Sequence, residues 1–173
     1  MTSAYIGIGA NLGDPIAQMI RALEAMDSIC ETQVTQRSGL YRSSPLGPQD
    51  QPDFVNACAR LETTLGAREL LEQLQRIEQS MGRVKHRHWG ERCIDLDLLL
   101  FGDEVYDLPE MTIPHPGIGV RDFVLRPLMD ITDASFVLPQ GLTIAQALEQ
   151  CGHHDLFSID HPQWTHGPKG LEQ

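Results

Sequence analysis

Apolar and polar positions along the chain fall into alternations and stripes that mark a succession of strands and helices. Tyr5 to Gly9 is a short apolar run ending in glycine, and Asp14-Pro15 then supplies an N-cap and a first-turn proline, so a strand is followed by a helix. In that helix Ile16, Ile20, Leu23 and Met26 recur at spacings of four, three and three, which predicts one buried stripe. Residues 54–61, FVNACARL, alternate: Val55, Ala57, Ala59 and Leu61 share one strand face, and Phe54 and Asn56 stand together on the other. A second helix carries Leu70, Leu71, Leu74, Ile77 and Met81 and stops at Gly82. Residues 93–101, CIDLDLLLF, predict a strand with Ile94, Leu96, Leu98 and Leu100 on one face and Asp95, Asp97 and Leu99 on the other. A third helix is expected over 143–150, with Thr143 and Gln146 as a capping box and Gly152 as its terminator.

The order β, α, β, β, α, β predicts an α+β fold of ferredoxin-like plan, an antiparallel sheet with packed helices (an αβα sandwich), the helices mainly on one face. At 173 residues one domain is expected, spanning 1–160, with a peripheral tail over 161–173. The segment 41–53, YRSSPLGPQDQPD, has no periodicity and reads as a long loop, and Gly7 and Gly9 read as part of a tight strand-to-helix turn. This loop and the one over 83–91 are expected to move when empty, with Gly82 and Gly90 as hinges of the second.

Composition narrows the function. No window approaches the roughly 18 unbroken apolar residues of a membrane span, and the N-terminus reads as a first strand in place of a leader, so a cytoplasmic protein with no membrane partner is expected. Cys30, Cys58, Cys93 and Cys151 form no C-x-x-C pair and are expected as buried, reduced thiols. A net charge of -11 argues against a nucleic-acid partner, so any phosphate site has to be local.

One such locality exists. GRVKHRHWGER at 82–92 places four cations, Arg83, Lys85, Arg87 and Arg92, against one acid, Glu91, directly before the D-x-D strand. Carboxylates at i and i+2 of a strand project to one side about 7 Å apart and can share or bridge divalent cations. Metal and arginine together neutralise a polyphosphate, whereas a solvated strand face would rarely use Asp. Phe54, Trp89 and Phe123 are candidates to sandwich a flat ring while Asn56 reads its polar edge, and His115, in IPHPG, is a candidate phosphate contact. Neither a Walker loop nor a kinase catalytic loop is present, and H-x-H at 86–88 alone is a weak zinc signal. Nucleotidyl transfer also uses a strand-borne acidic pair, and a non-catalytic binding module of the same fold is a further alternative.

From Tyr5 to about Leu128 the chain resembles the 6-hydroxymethyl-7,8-dihydropterin pyrophosphokinases of folate biosynthesis. The resemblance rests on GANL, PLGPQDQPDFVNA (45–57), QRIEQSMGR (75–83), WGERCIDLDLLLFG (89–102), TIPHP and RDFVLRPL. It implies pyrophosphoryl transfer from ATP to the reduced pterin with AMP as the other product. Asp95 and Asp97 would hold two Mg²⁺ ions, and Arg83 and Arg92 would bind the transferring group. Gln75, Glu78, Leu98, Thr112, His115 and Arg121 would lie around ATP, with Lys85, in competition with Arg87, as the loop's phosphate-reaching cation. Ser44, Leu46, Phe54, Asn56, Trp89 and Phe123 would enclose the pterin. Partners are then small molecules, and the enzyme is expected to act as a monomer.

Overall fold

The computed structural model describes residues 1–45, 49–82, 94–152, 156–165 and 167–168. In chain order these form β1 (Thr2–Ala10), α1 (Pro15–Asp27), β2 (Thr32–Arg37), β3 (Leu40–Ser43), β4 (Phe54–Thr63), α2 (Ala67–Ser80), β5 (Asp95–Phe101), β6 (Tyr106–Leu108), β7 (Met111–Ile113), α3 (Asp122–Asp130), α4 (Ile144–Gln150), β8 (Phe157–Ile159) and β9 (Gly167–Pro168). One antiparallel sheet runs β5-β1-β4-β2-β9, with β3 branching from β4 and β8 pairing with β3; β6 and β7 form a separate hairpin. Among the described residues no helix is long and apolar enough to cross a membrane.

Local chemistry explains the helix ends. Asp14 caps α1, its Oδ1 accepting from the Ala17 amide at 3.2 Å, and Pro15 opens the helix where its missing N–H is not needed. Gly82 takes φ +77 just past α2, a left-handed turn that favours glycine. Thr143 and Gln146 form the expected capping box of α4, but that helix ends at Cys151 in extended backbone, without a left-handed Gly152. In α1 the buried stripe is Met19, Ala22, Leu23 and Met26, with Ile16 and Ile20 only partly buried at its flank.

The sheet is covered on both faces, which corrects the expectation of helices mainly on one. Against α1 and α2 it presents Ala4, Ile6 and Ile8 of β1, Val55, Ala57, Ala59 and Leu61 of β4, and Leu96 and Leu98 of β5. The opposite face packs Tyr5, Cys58, Leu99 and Leu100 against α3 and α4. The second layer was hidden because α3 is nine residues long and holds Pro127, a helix breaker by propensity that burial of Val124, Leu125 and Leu128 overrides.

Three further expectations are corrected. The alternation read for residues 94–99 holds, but a bulge in the β1–β5 ladder sends Leu100 to the α3/α4 face beside Leu99. Residues 41–43 are strand, not loop, and Gly7 and Gly9 lie inside β1, not in a turn. The segment after Cys151 is stitched to the sheet by β8 and β9, and Trp164, 4% exposed, donates from Nε1 to the Ser38 carbonyl at 2.8 Å, so residues 161–165 are not peripheral. Of the cysteines, only Cys58 is buried; Cys30 is exposed and Cys151 intermediate, all three are free, and Cys93 lies outside the described residues.

Candidate active site

Alternation along three neighbouring strands builds the site. On the face away from α1 and α2, β5 contributes Asp95 and Asp97, and their partners across β1 are Gly9 and Gly7. The partners of those glycines on β4 are Asn56 and Cys58. Two cross-strand rows result, Asp95–Gly9–Asn56 and Asp97–Gly7–Cys58, each with glycine in the middle. Gly9 puts no side chain between Asp95 and Asn56, and beside Gly7 the Leu99 side chain lies 3.5 Å from where a Cβ would stand. The outcome is an open cleft of about 140 Å³.

The walls are polar and aromatic. Ser43 and Ser44 stand at the end of β3, Phe54 opens β4, and Arg121, Phe123 and Val124 come from the start of α3. The Arg121 guanidinium lies over the Phe123 ring at 5.9 Å, and a side chain at Gly117 would meet it, since a Cβ there falls 3.0 Å from Arg121 Nη1. Asn56, 6% exposed, spends both amide hydrogens on protein, donating to the Tyr41 carbonyl at 3.1 Å and Ser43 Oγ at 2.8 Å. Its Oδ1 lies towards Gly9, 3.7 Å from where a Cβ would stand.

His115 joins the acidic rim: its Nε2 is 3.8 Å from Asp97 Oδ1, and its Nδ1 accepts from the Gly117 amide at 3.0 Å. Burial, helped by the Arg121 charge and opposed by Asp95, pushes its pKa below the usual histidine value. The neutral ring therefore carries its proton on Nε2, towards Asp97. Glu78 is buried, and its Oε2 accepts from the Leu96 amide at 2.8 Å, tying α2 to the start of β5 between the two aspartates.

Of the sequence-predicted residues, Asp95, Asp97, Arg121, Ser44, Phe54, Asn56 and Phe123 meet in this one cleft, with His115 at its acidic edge. Gln75 and Thr112 are exposed outside its wall, and Leu98 is 4% exposed in the core under the opposite face, which leaves only its backbone for a ligand. Leu46, Arg83, Lys85, Trp89 and Arg92 lie outside the described residues. Sequence reasoning missed Ser43 and the spacing role of Gly7 and Gly9; the signal was a G-x-G inside an apolar strand, where glycine marks close approach. Glu110 pairs with Arg68 at 2.7 Å.

The donor set suits magnesium. Asp95 and Asp97 supply hard oxygens on one face of one strand, the Asp97 side chain is 38% exposed, and Mg²⁺ typically takes one or two carboxylates and completes its shell with water and phosphate. Among the described residues no group of three or more His, Cys, Asp or Glu is placed to hold a metal ion.

Comparison with known proteins places the chain in a family. The profile of the 7,8-dihydro-6-hydroxymethylpterin-pyrophosphokinase (HPPK) family matches residues 5–133, which hold β4, β5, α3 and β1 from Tyr5 onward. The 2-amino-4-hydroxy-6-hydroxymethyldihydropteridine pyrophosphokinase of Haemophilus influenzae is 44% identical over 160 residues, 92% of this chain and 99% of that protein. The Pseudomonas aeruginosa protein of the same name is 44% identical over 147 residues, 85% of this chain and 90% of the relative. Among solved structures, Plasmodium falciparum HPPK-DHPS shares the fold with a TM-score of 0.61 at 13% identity, covering 87% of this chain and 43% of that longer one. With its cleft strands inside the matched region and near-complete coverage of a bacterial relative, the chain belongs to the 7,8-dihydro-6-hydroxymethylpterin-pyrophosphokinase family.

Proposed function

We propose that the protein transfers the pyrophosphoryl group of ATP to the hydroxymethyl group of 6-hydroxymethyl-7,8-dihydropterin, releasing AMP. The observation that carries this reading is the facing of two strand carboxylates and an aromatic, amide-lined wall across a glycine floor. Family membership supports the same reaction.

In this reading Phe54 and Phe123 enclose the pterin ring, and Asn56, whose amide hydrogens are engaged, offers Oδ1 to the N–H groups of its edge. The hydroxymethyl oxygen then lies near Asp95, which orients the hydroxyl by accepting its hydrogen bond. That oxygen attacks the β-phosphorus and gives up its proton to solvent, the bond from the β-phosphorus to the α,β-bridging oxygen breaks, and AMP leaves with the bridging oxygen. No covalent enzyme intermediate forms, so positioning and charge neutralisation carry the rate. Arg121 and the Nε2–H of His115 present donors to the nucleotide side, and Arg83 and Arg92 are assigned to the transferring group. When bound, two Mg²⁺ ions held by Asp95 and Asp97 would neutralise phosphate charge.

Incubation with ATP, Mg²⁺ and the reduced pterin, followed by identification of the nucleotide product, tests the proposal. AMP and pterin diphosphate are expected. Release of inorganic pyrophosphate would identify nucleotidyl transfer, release of ADP single phosphoryl transfer, and absence of metal-dependent turnover a binding module.

A further inference from the structure

The GANL and PQDQP segments carry two side chains that meet outside the cleft. Asn11 follows β1 directly and is 2% exposed, and Gln51 is 7% exposed. Asn11 Nδ2 donates to Gln51 Oε1 at 2.9 Å and to the Pro52 carbonyl at 3.0 Å, so both hydrogens of one amide hold the chain just ahead of Phe54. Two buried amides are costly in a surface connection unless bonded, and a purely packing contact would not need them. At the other end of the same connection Asn56 holds the Tyr41 carbonyl and Ser43 Oγ in the same two-donor manner. Both ends of the stretch between Ser43 and Phe54 are therefore set by an asparagine amide anchored in the sheet or directly beside it.

We propose that Asn11 is a positioning residue for the heterocycle subsite, holding Phe54 in place through Gln51 and Pro52. The proposal rests on the reading of the Phe54–Asn56 wall as the pterin site. Phe54 begins β4, so its ring direction depends on how residues 51–53 enter the strand, and those residues are fixed by Asn11. The carboxylates on β5 are held independently, by the β1 ladder and by Glu78. Loss of the Asn11 bonds consequently falls on pterin affinity and leaves the chemical step and ATP in place.

The test measures the Kd of 6-hydroxymethyl-7,8-dihydropterin by fluorescence titration with Mg²⁺ and α,β-methylene-ATP, together with kcat and the KM for ATP. Asn11→Ala is expected to weaken pterin binding about 5- to 20-fold, with kcat and ATP KM within about twofold of wild type. Asn11→Asp, which has no hydrogens to donate and sets carboxylate oxygens against two acceptors, should weaken it more than Asn11→Ala. Gln51→Leu removes one acceptor and keeps the Pro52 bond, so a loss of about 2- to 5-fold is expected even if the Asn11 variants fold poorly. Unchanged pterin affinity in Gln51→Leu and in folded Asn11→Ala, or equal weakening of ATP and pterin, overturns the proposal. Phe54→Ala separates the two layers of argument. If it too leaves pterin affinity unchanged, the subsite reading fails; if it alone weakens pterin, only the positioning role fails.

Discussion

The two faces of the β5-β1-β4 sheet use the same backbone for opposite ends. On the face under α1 and α2, the cross-strand rows are Leu96–Ile8–Ala57 and Leu98–Ile6–Ala59, all 4% exposed or less. One residue along each strand, the rows become Asp95–Gly9–Asn56 and Asp97–Gly7–Cys58, and they open on the cleft. The first face fills its space with branched side chains and contributes stability. The second leaves out the middle side chain and keeps polar groups where a ligand can reach them. Period-two alternation makes the two roles separable, because neighbouring residues of one strand answer to different environments.

That separation predicts mutational effects that do not mix. Asp97→Asn or Asp95→Asn should lower kcat by about 10²–10³-fold or more while leaving Tm within about 2 °C, since a side chain turned to the cleft contributes little to the core. Near wild-type turnover at saturating Mg²⁺ in either variant would reject the carboxylate assignment.

Leu98→Ala, one residue away on the other face, should reverse the pattern. Loss of a fully packed leucine costs about 2–5 kcal/mol of stability, read by urea unfolding, and the folded enzyme should keep its kcat within about twofold. A selective loss of turnover in folded Leu98→Ala would show that the faces are coupled.

Filling the glycine gap is the sharper probe. Gly9→Val adds a branched side chain beside Asn56 Oδ1, where even a Cβ stands at 3.7 Å. The KM for the pterin should rise about tenfold with little loss of stability, because valine suits a strand and meets only cleft space. An unchanged KM would remove the Gly9 row from the binding site.

The smallest effect concerns pH. Burial, with the hydrogen bond to Asp130 as the second cause, pushes the Tyr41 phenol up to about 12 from its usual 10.0. The folded protein holds a proton that the unfolded chain releases first, so this contribution is complete below about pH 10 and is lost as pH rises towards 12. Wild type should lose about 2–4 °C more in Tm across that window than Tyr41→Phe. Equal slopes would mean that the Tyr41–Asp130 link between β3 and α3 does not discriminate the two protonation states.

Legibility followed pattern strength. Asp95 and Asp97 stood out because carboxylates are rare in an apolar strand, and Phe54 with Asn56 because one alternating segment placed them together. At Leu100 the reading failed, since three successive leucines carry no mark of the bulge that sends it to the α3/α4 face. Strand β2, TQVTQR, has too little alternation to announce itself, and α3 conceals itself behind Pro127. Residues 161–165 looked peripheral from their polarity, yet one indole, Trp164, was enough to bring them onto the sheet.

By itself the sequence determined the main strands and helices, the shared face of Asp95 with Asp97 and of Phe54 with Asn56, and the motifs whose resemblance implies the reaction. These follow from residue chemistry and from the periods of strand and helix, which are local. Only the tertiary structure decided that α3 packs on the second face, that Gly9 and Gly7 separate Asp95 and Asp97 from Asn56 and Cys58, and that Asn11 reaches Gln51. Those relations join residues up to about ninety positions apart, as Gly9 to Asp95 and Tyr41 to Asp130 do, and no local period encodes which strands become neighbours.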